Sequence, residues 1–228
     1  MATYDDLQTA RGSLIRKALG GIILVAPMDA PVPDTLFDDA DGTFVDFKEL
    51  GYTNLGWLSK SDGITFPREV EQADVESFGA QEPTRTDITK DITSATFRCQ
   101  ETNKQVLELF HNVDLSDTKP DANGEISFDQ PAQPETTYRR FIYIAKDGNG
   151  DNAKYIAKIM PRATVSEYTE QTWSNESELS YGLTVKATQD EDANFALRHI
   201  FGGPGFEKLY ENMGFTEAPV EDPETPTP

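Results

Sequence analysis

Between residue 34 and about residue 189 the chain is a succession of short runs rich in apolar, aromatic and β-branched residues, separated by turn signals. Such runs predict strands, because strand side chains alternate between two faces and branched residues fit a pleated surface. The strongest hairpin lies between Thr137 and Pro161. Its arms are Thr-Tyr-Arg-Arg-Phe-Ile-Tyr-Ile-Ala-Lys and Ala-Lys-Tyr-Ile-Ala-Lys-Ile-Met, joined through the Gly-rich loop Asp147-Gly-Asn-Gly-Asp151. In the second arm Ala153, Tyr155, Ala157 and Ile159 share a wholly apolar face, while Lys154, Ile156, Lys158 and Met160 share a mixed one. That pattern predicts one face in a core and one wet or interfacial. The unbroken run Ile22-Ile23-Leu24-Val25-Ala26 predicts a buried strand. Further strands are expected at 41–47, 55–59, 64–74, 92–100, 125–129, 163–170 and 179–189, with Ser61-Asp62-Gly63 turning the second into the third.

Period 3.6 replaces period 2 in two places. Val106, Leu109 and Phe110 make one apolar stripe, which predicts a sheet-covering helix over 103–111. Thr102 is the expected N-cap, with Gln105 completing a capping box. From 190 to 214 the chain reads as helical, with Phe206, Leu209, Tyr210 and Met213 repeating the stripe and Gly214 at the stop. The tail beyond is Pro-rich and carries Glu217, Glu221, Asp222 and Glu224 without a base, so it is expected to be disordered. The expected organisation is an arm at 1–20, a β domain at 21–189, a helical segment at 190–215 and an acidic tail at 216–228.

Charge and composition narrow the function. Twenty Lys and Arg stand against 40 Asp and Glu, a net charge of −20. Such a surface repels phosphate and anionic membranes. One cysteine excludes an intramolecular disulfide framework and a cysteine-based zinc site. Two histidines leave little room for histidine-based catalysis. No run approaches the roughly 20 apolar residues of a spanning helix, and the start Met-Ala-Thr-Tyr-Asp-Asp lacks the basic region of a signal peptide. A chain folded in a cytoplasm, without membrane insertion, is expected. There Asn175-Glu-Ser177 is not a glycosylation acceptor.

The motifs that hint at chemistry have simpler readings. Asp147–Asp151 opens like a calcium loop, but Asn152 replaces the turn glycine and Lys158 the bidentate glutamate. The cluster Asp38-Asp-Ala-Asp-Gly42 has Phe37 at its first ligand position and reads as a solvated loop. Gly202-Gly-Pro-Gly205 lacks the Gly-Lys-Ser/Thr ending of a phosphate loop and reads as a turn between two helices. Cys99 reads as a small buried residue, and His111 and His199 have no triad partner in sequence. No catalytic, cofactor-binding or metal-ligating residue is expected, and no cofactor.

Several stretches, taken in order, resemble one family. They are Gly51-Tyr-Thr-Asn-Leu-Gly-Trp-Leu-Ser-Lys-Ser-Asp-Gly-Ile-Thr-Phe-Pro-Arg-Glu69 and Ile92-Thr-Ser-Ala-Thr-Phe-Arg-Cys-Gln-Glu-Thr-Asn-Lys-Gln-Val-Leu-Glu-Leu-Phe110. Ile159-Met-Pro-Arg-Ala-Thr-Val165, Tyr181-Gly-Leu-Thr-Val-Lys-Ala187, the opening Gly21–Pro27 run and the closing Phe201-Gly-Gly-Pro-Gly-Phe206 follow the same order. Together they resemble the major tail protein, or tail tube protein, of long non-contractile-tailed bacteriophages (siphophages). The resemblance implies a mainly β fold, a β-sandwich or partly closed barrel of the phage tail-tube type with one sheet-covering helix and a helical C-terminal segment. It implies a structural virion protein, not an enzyme, whose subunits join six-fold into rings. The rings stack into the tail tube, assembled in the host cytoplasm. Implied partners are copies of itself, the tape measure protein, and tail terminator and distal tail or baseplate proteins. Double-stranded DNA is implied only as non-specific transiting cargo.

The long segment 69–91 links two strands, lacks a core pattern and holds Pro83. A loop of that length is usually functional. Glu76, Phe78, Gln81, Glu82, Pro83 and Arg85 are therefore the expected inter-ring or subunit contact. Glu69, Glu71, Asp87 and Asp91 are the expected lumen-facing acids, and Val106, Leu109 and Phe110 the structural helix stripe. The competing class is a β-sandwich module that binds carbohydrate or a receptor on a virion or cell surface, marked by exposed aromatics on loops.

Overall fold

A computed structural model describes residues 3–38 and 42–216. The expected tail from 217 onward, and Asp39 and Asp41 of the carboxylate cluster, lie outside the described residues. The elements run α1 (Tyr4–Leu7), β1 (Gly20–Ala26), β2 (Thr53–Asn54), β3 (Ile64–Thr65), β4 (Arg68–Val75), β5 (Arg85–Cys99), α2 (Lys104–His111), β6 (Arg139–Asp147), β7 (Lys154–Tyr168), β8 (Tyr181–Thr188), β9 (Arg198–Gly202), α3 (Pro204–Glu207) and α4 (Tyr210–Met213). The fold is mainly β, a curled antiparallel sheet with few helices. Strand order is β2-β1-β6-β7-β8-β5-β3, with β4 on β5 and β9 on β7.

The described chain forms two compact units. The larger comprises Gly21–Ile144 and Ala157–Ile200. Its core is one cluster in which Ile23, Phe97, Phe141, Met160, Leu183 and Val185 are buried against Val106 and Leu109 of α2. Neighbouring strands supply these positions in register: Phe97 faces Leu183 and Ala95 faces Val185 across β5 and β8. Burying a large aliphatic or aromatic side chain stabilises by about 1.5–3 kcal/mol each. The second face of β6 is buried too, at Ile142 and Ile144. On that face Arg140 donates to Met28 O at 2.9 Å, to Pro161 O at 3.1 Å and to Asp190 Oδ2 at 3.3 Å. Asp190 Oδ1 in turn accepts from the N–H groups of Asp192 and Ala193. A largely buried guanidinium thus ties the segment after β1, the middle of β7 and the turn after β8 together.

The smaller unit comprises residues 3–20, 145–156 and 201–216. Leu19 N–H donates to Lys146 O at 2.9 Å, and Arg16 reaches Asp147 at 3.4 Å. Gly205 N–H donates to Ala153 O at 2.9 Å. A Cβ on Gly205 would stand 2.4 Å from Asn152 O, so glycine is required by close approach. Lys208 donates to Asp151 O at 2.8 Å. The oxygens of the Asp147–Asp151 loop therefore meet Arg16 and Lys208.

Several expectations change. Helix α2 is capped by Asn103, whose side chain accepts from Val106 N–H at 3.0 Å; Thr102 instead bonds the Tyr181 hydroxyl at 2.9 Å. The expected strand 64–74 breaks at Phe66-Pro67 into β3 and β4, since proline lacks the ladder N–H. The expected strands 41–47 and 55–59 reduce to isolated bridges, Phe37 with Phe44 and Leu58 with Cys99, and Gly56 at φ 88 interrupts the second. Residues 125–129 form no strand. Two expected strands merge into the single β7, which continues through Pro161; pairing with β8 starts at the next residue, Arg162. Residues 190–214 are not a helical segment: β9 occupies 198–202, and only the single turns α3 and α4 follow. The glycine stretch accordingly joins β9 to α3, with Pro204 in the first turn.

Candidate assembly surface

The segment 69–91 is a β-hairpin, and it belongs wholly to the larger unit. Every residue of the eight-residue β4 is exposed. Its partner β5 runs 15 residues, with its N-terminal part beside β4 and its C-terminal part, from Ser94, in the core sheet beside β8. One continuous strand therefore carries the ribbon on the body of the unit. Register pairs Arg68 with Thr93 and Val75 with Arg85, and slips once between Glu71 and Gln72. The slip skips Thr89, whose hydroxyl donates to Glu71 O at 3.2 Å. A bulge of this kind increases local twist and blunts an exposed edge.

Pairing sorts the side chains by face. Glu69, Glu71, Asp87, Arg85 and Lys90 share one; Arg68, Val70, Asp91 and Ile88 share the other. Lys90 Nζ lies 2.7 Å from Glu69 Oε1 and 2.8 Å from Glu71 Oε1. Hydrogen bonding to Lys90, then its charge, holds the Glu69 carboxyl below its ordinary range, and the two glutamates raise Lys90 in return. Arg68 grips Asp91 with two hydrogen bonds of 2.7 and 2.5 Å, which lowers the Asp91 carboxyl. Arg85 pairs with Asp87 at 2.8 Å. The four acids singled out as lumen-facing thus fall three on one face and one on the other, each beside a cation.

The tip carries Glu76, Phe78, Gln81, Glu82 and Pro83, with Arg85 opening β5. Thr84 N–H closes it on Val75 O at 2.9 Å, Gly79 turns at φ 87, and the Ser77 and Thr84 hydroxyls meet at 2.7 Å. Phe78 is fully exposed at 111%. Trp57 and Trp173 of the same unit are exposed as well, more so than its Phe44 and Tyr168.

Within the helix stripe Val106 and Leu109 are buried, and Phe110 packs edge-on against Tyr181 at 5.3 Å and Tyr168 at 5.8 Å. Cys99 is buried, and loss of solvation pushes its thiol up to about 12. Among the described residues no three His, Cys, Asp or Glu side chains come together as a metal site, and no helix is long and apolar enough to cross a membrane. Sequence reading missed two cations of the hairpin, Arg68 and Lys90, and named Arg85 only as a contact residue, not as the partner of Asp87. Cross-strand pairing places them, and the bulge that sets it leaves no mark in residue spacing.

The chain belongs to the phage tail tube protein family, whose model matches residues 9–200. Membership implies a structural component of a virion that assembles with other tail proteins. No curated protein matches the chain. Among solved structures it is similar to a chain of the anti-feeding prophage baseplate, determined by cryo-EM with six-fold symmetrisation, at 9% identity and a TM-score of 0.39, covering 81% of this chain and 93% of that one.

Proposed function

We propose that this protein builds the tail tube of a siphophage as hexameric rings that stack, enclose the tape measure protein and conduct double-stranded DNA at infection. The observation that carries the reading is β4, a strand with no buried residue, paired on one side alone among the described residues. A ribbon with neither face covered is marginal by itself in water. Docking between copies covers it and satisfies its free edge. On this reading the tip residues Glu76, Phe78, Gln81, Glu82 and Pro83, with Arg85, make the inter-ring contact. The face bearing Glu69, Glu71 and Asp87 turns toward the lumen, and Asp91 turns away from it. The role is structural rather than enzymatic. Tail terminator and distal tail or baseplate proteins cap the tube at its ends, and assembly takes place in the host cytoplasm.

A second reading draws on the exposed Trp57 and Trp173: a β-sandwich module that binds carbohydrate or a receptor. Negative-stain microscopy separates the two. Rings or hollow tubes from the purified protein are expected, and deletion of residues 77–84 should leave a folded subunit that forms none. Discrete monomers that bind a glycan array would favour the module, and normal tubes from the deletion would remove the hairpin from the interface.

A further inference from the structure

Among the described residues Lys158 pairs with no carboxylate. It stands on β7 in a cavity of about 430 Å³, walled by the base of the β4–β5 hairpin, by β8 and by β9 with the residues before it. Its Nζ lies 4.6 Å from the centre of the Phe66 ring and 3.3 Å from His199 Nδ1. Ile92, Ala187 and Leu197 add apolar lining. Asp91, the one carboxylate among the described lining residues, is already held through both oxygens by Arg68. The cavity therefore presents two fixed cations and an imidazole against a single occupied carboxylate. Partial burial strips water from Lys158 and lowers its pKa; His199 is lowered by the same loss of water and by the neighbouring ammonium. A half-buried ammonium with no counter-charge among the described residues is uphill, and an incoming anion relieves it.

We propose that this cavity is an anion pocket that receives an Asp or Glu side chain from a second copy of the chain. The proposal rests on the tube reading above. Lys158 supplies the charge, His199 a hydrogen bond, and Arg68 attraction at the rim. A second copy is the occupant that charge complementarity favours. Each copy carries 20 more acids than bases, so copies packed against one another meet acid with acid wherever no cation intervenes. A preformed pocket beside the hairpin base places a cation where that repulsion is otherwise unanswered. Duplex phosphate is the less favoured source, since it would have to approach through the surrounding negative field.

The test is zero-length crosslinking of assembled tubes with a water-soluble carbodiimide, which joins an ammonium to a carboxylate in contact. Tubes grown from an equal mixture of ¹⁵N-labelled and unlabelled subunits distinguish links between copies from links within one. The expected result is a mixed-isotope peptide pair joining Lys158 to an Asp or Glu. Lys158→Gln should raise the concentration needed for assembly about tenfold, the worth of one charged hydrogen bond, while Lys158→Arg keeps it near the unaltered value. Circular dichroism melts of both variants check that they fold. Links confined to one copy, or assembly of Lys158→Gln at the unaltered concentration, overturn the pocket. So does a Lys158→Gln protein that assembles normally but loses affinity for a 30-base-pair duplex, which would assign the pocket to phosphate. If the unaltered protein forms neither rings nor tubes, the tube reading falls and the pocket with it.

Discussion

The Tyr143 hydroxyl is buried and finds no hydrogen-bond partner among the described residues, while its ring packs edge-on to Phe66 at 5.2 Å and Phe97 at 6.1 Å and stacks on Phe141 at 6.1 Å. Burial pushes the phenol well above its ordinary pKa. The packing belongs to the ring and the desolvation to the oxygen, so Tyr143→Phe should keep the first and remove the second. A gain of about 1 kcal/mol in urea unfolding is expected; a loss of that size would mean the hydroxyl has a partner. Arg140 is the opposite case, a buried polar group whose hydrogen bonds reach Met28, Pro161 and Asp190. In the sequence Arg140 opens the apolar run 141–145 beside a second arginine, Arg139, and nothing local marks it as the buried one. Its acidic partner lies 50 residues away and has no local spacing to announce it. Residue-scale features were legible where one strand or helix decided them, as for Cys99 and the α2 stripe. They were hidden where two distant segments had to meet.

At the scale of elements, apolar periodicity found the parts that have a core to face. Helix α2 lies within one residue of its expected span because Val106 and Leu109 both need the sheet. Leu109→Ala should cost about 2–5 kcal/mol, read as a shift of the urea midpoint at constant slope; no shift would place the side chain in a cavity able to collapse. The C-terminal segment misled for a physical reason. Its stripe of Phe206, Leu209, Tyr210 and Met213 has helical spacing, but the backbone leaves the helical region at Leu209, φ −121, and divides the segment into two single turns. The 69–91 segment looked loop-like because neither of its faces is buried. Period-two burial is absent in a ribbon stabilised by its ladder and its ion pairs. Its strands extend an element, β5, that is core at one end and bare at the other.

At the scale of the molecule the total charge was legible from composition and its arrangement was not. The sum of −20 suggests a uniformly acidic surface, yet the hairpin acids are interleaved with Arg68, Arg85 and Lys90. Salt screens two forces of opposite effect on assembly. A single pair such as Lys158 with an incoming carboxylate weakens as salt rises. Repulsion between copies also weakens, because the screening length falls from about 30 Å at 0.01 M to about 8 Å at 0.15 M and 3 Å at 1 M. Two unit charges at 4 Å interact by only about 1 kcal/mol in water and about 4 kcal/mol near a protein surface. One attractive pair per contact is therefore outweighed by 20 uncompensated charges on each copy, spread over distances that low salt does not screen. Raising sodium chloride from 0.02 to 0.5 M should lower the concentration at which subunits assemble, followed by light scattering and sedimentation. Most of the change should fall below 0.15 M, where the screening length shrinks past the spacing of neighbouring surfaces. Assembly that weakens steadily across the same range would show that ion pairs at the contacts, rather than net charge, govern how copies join.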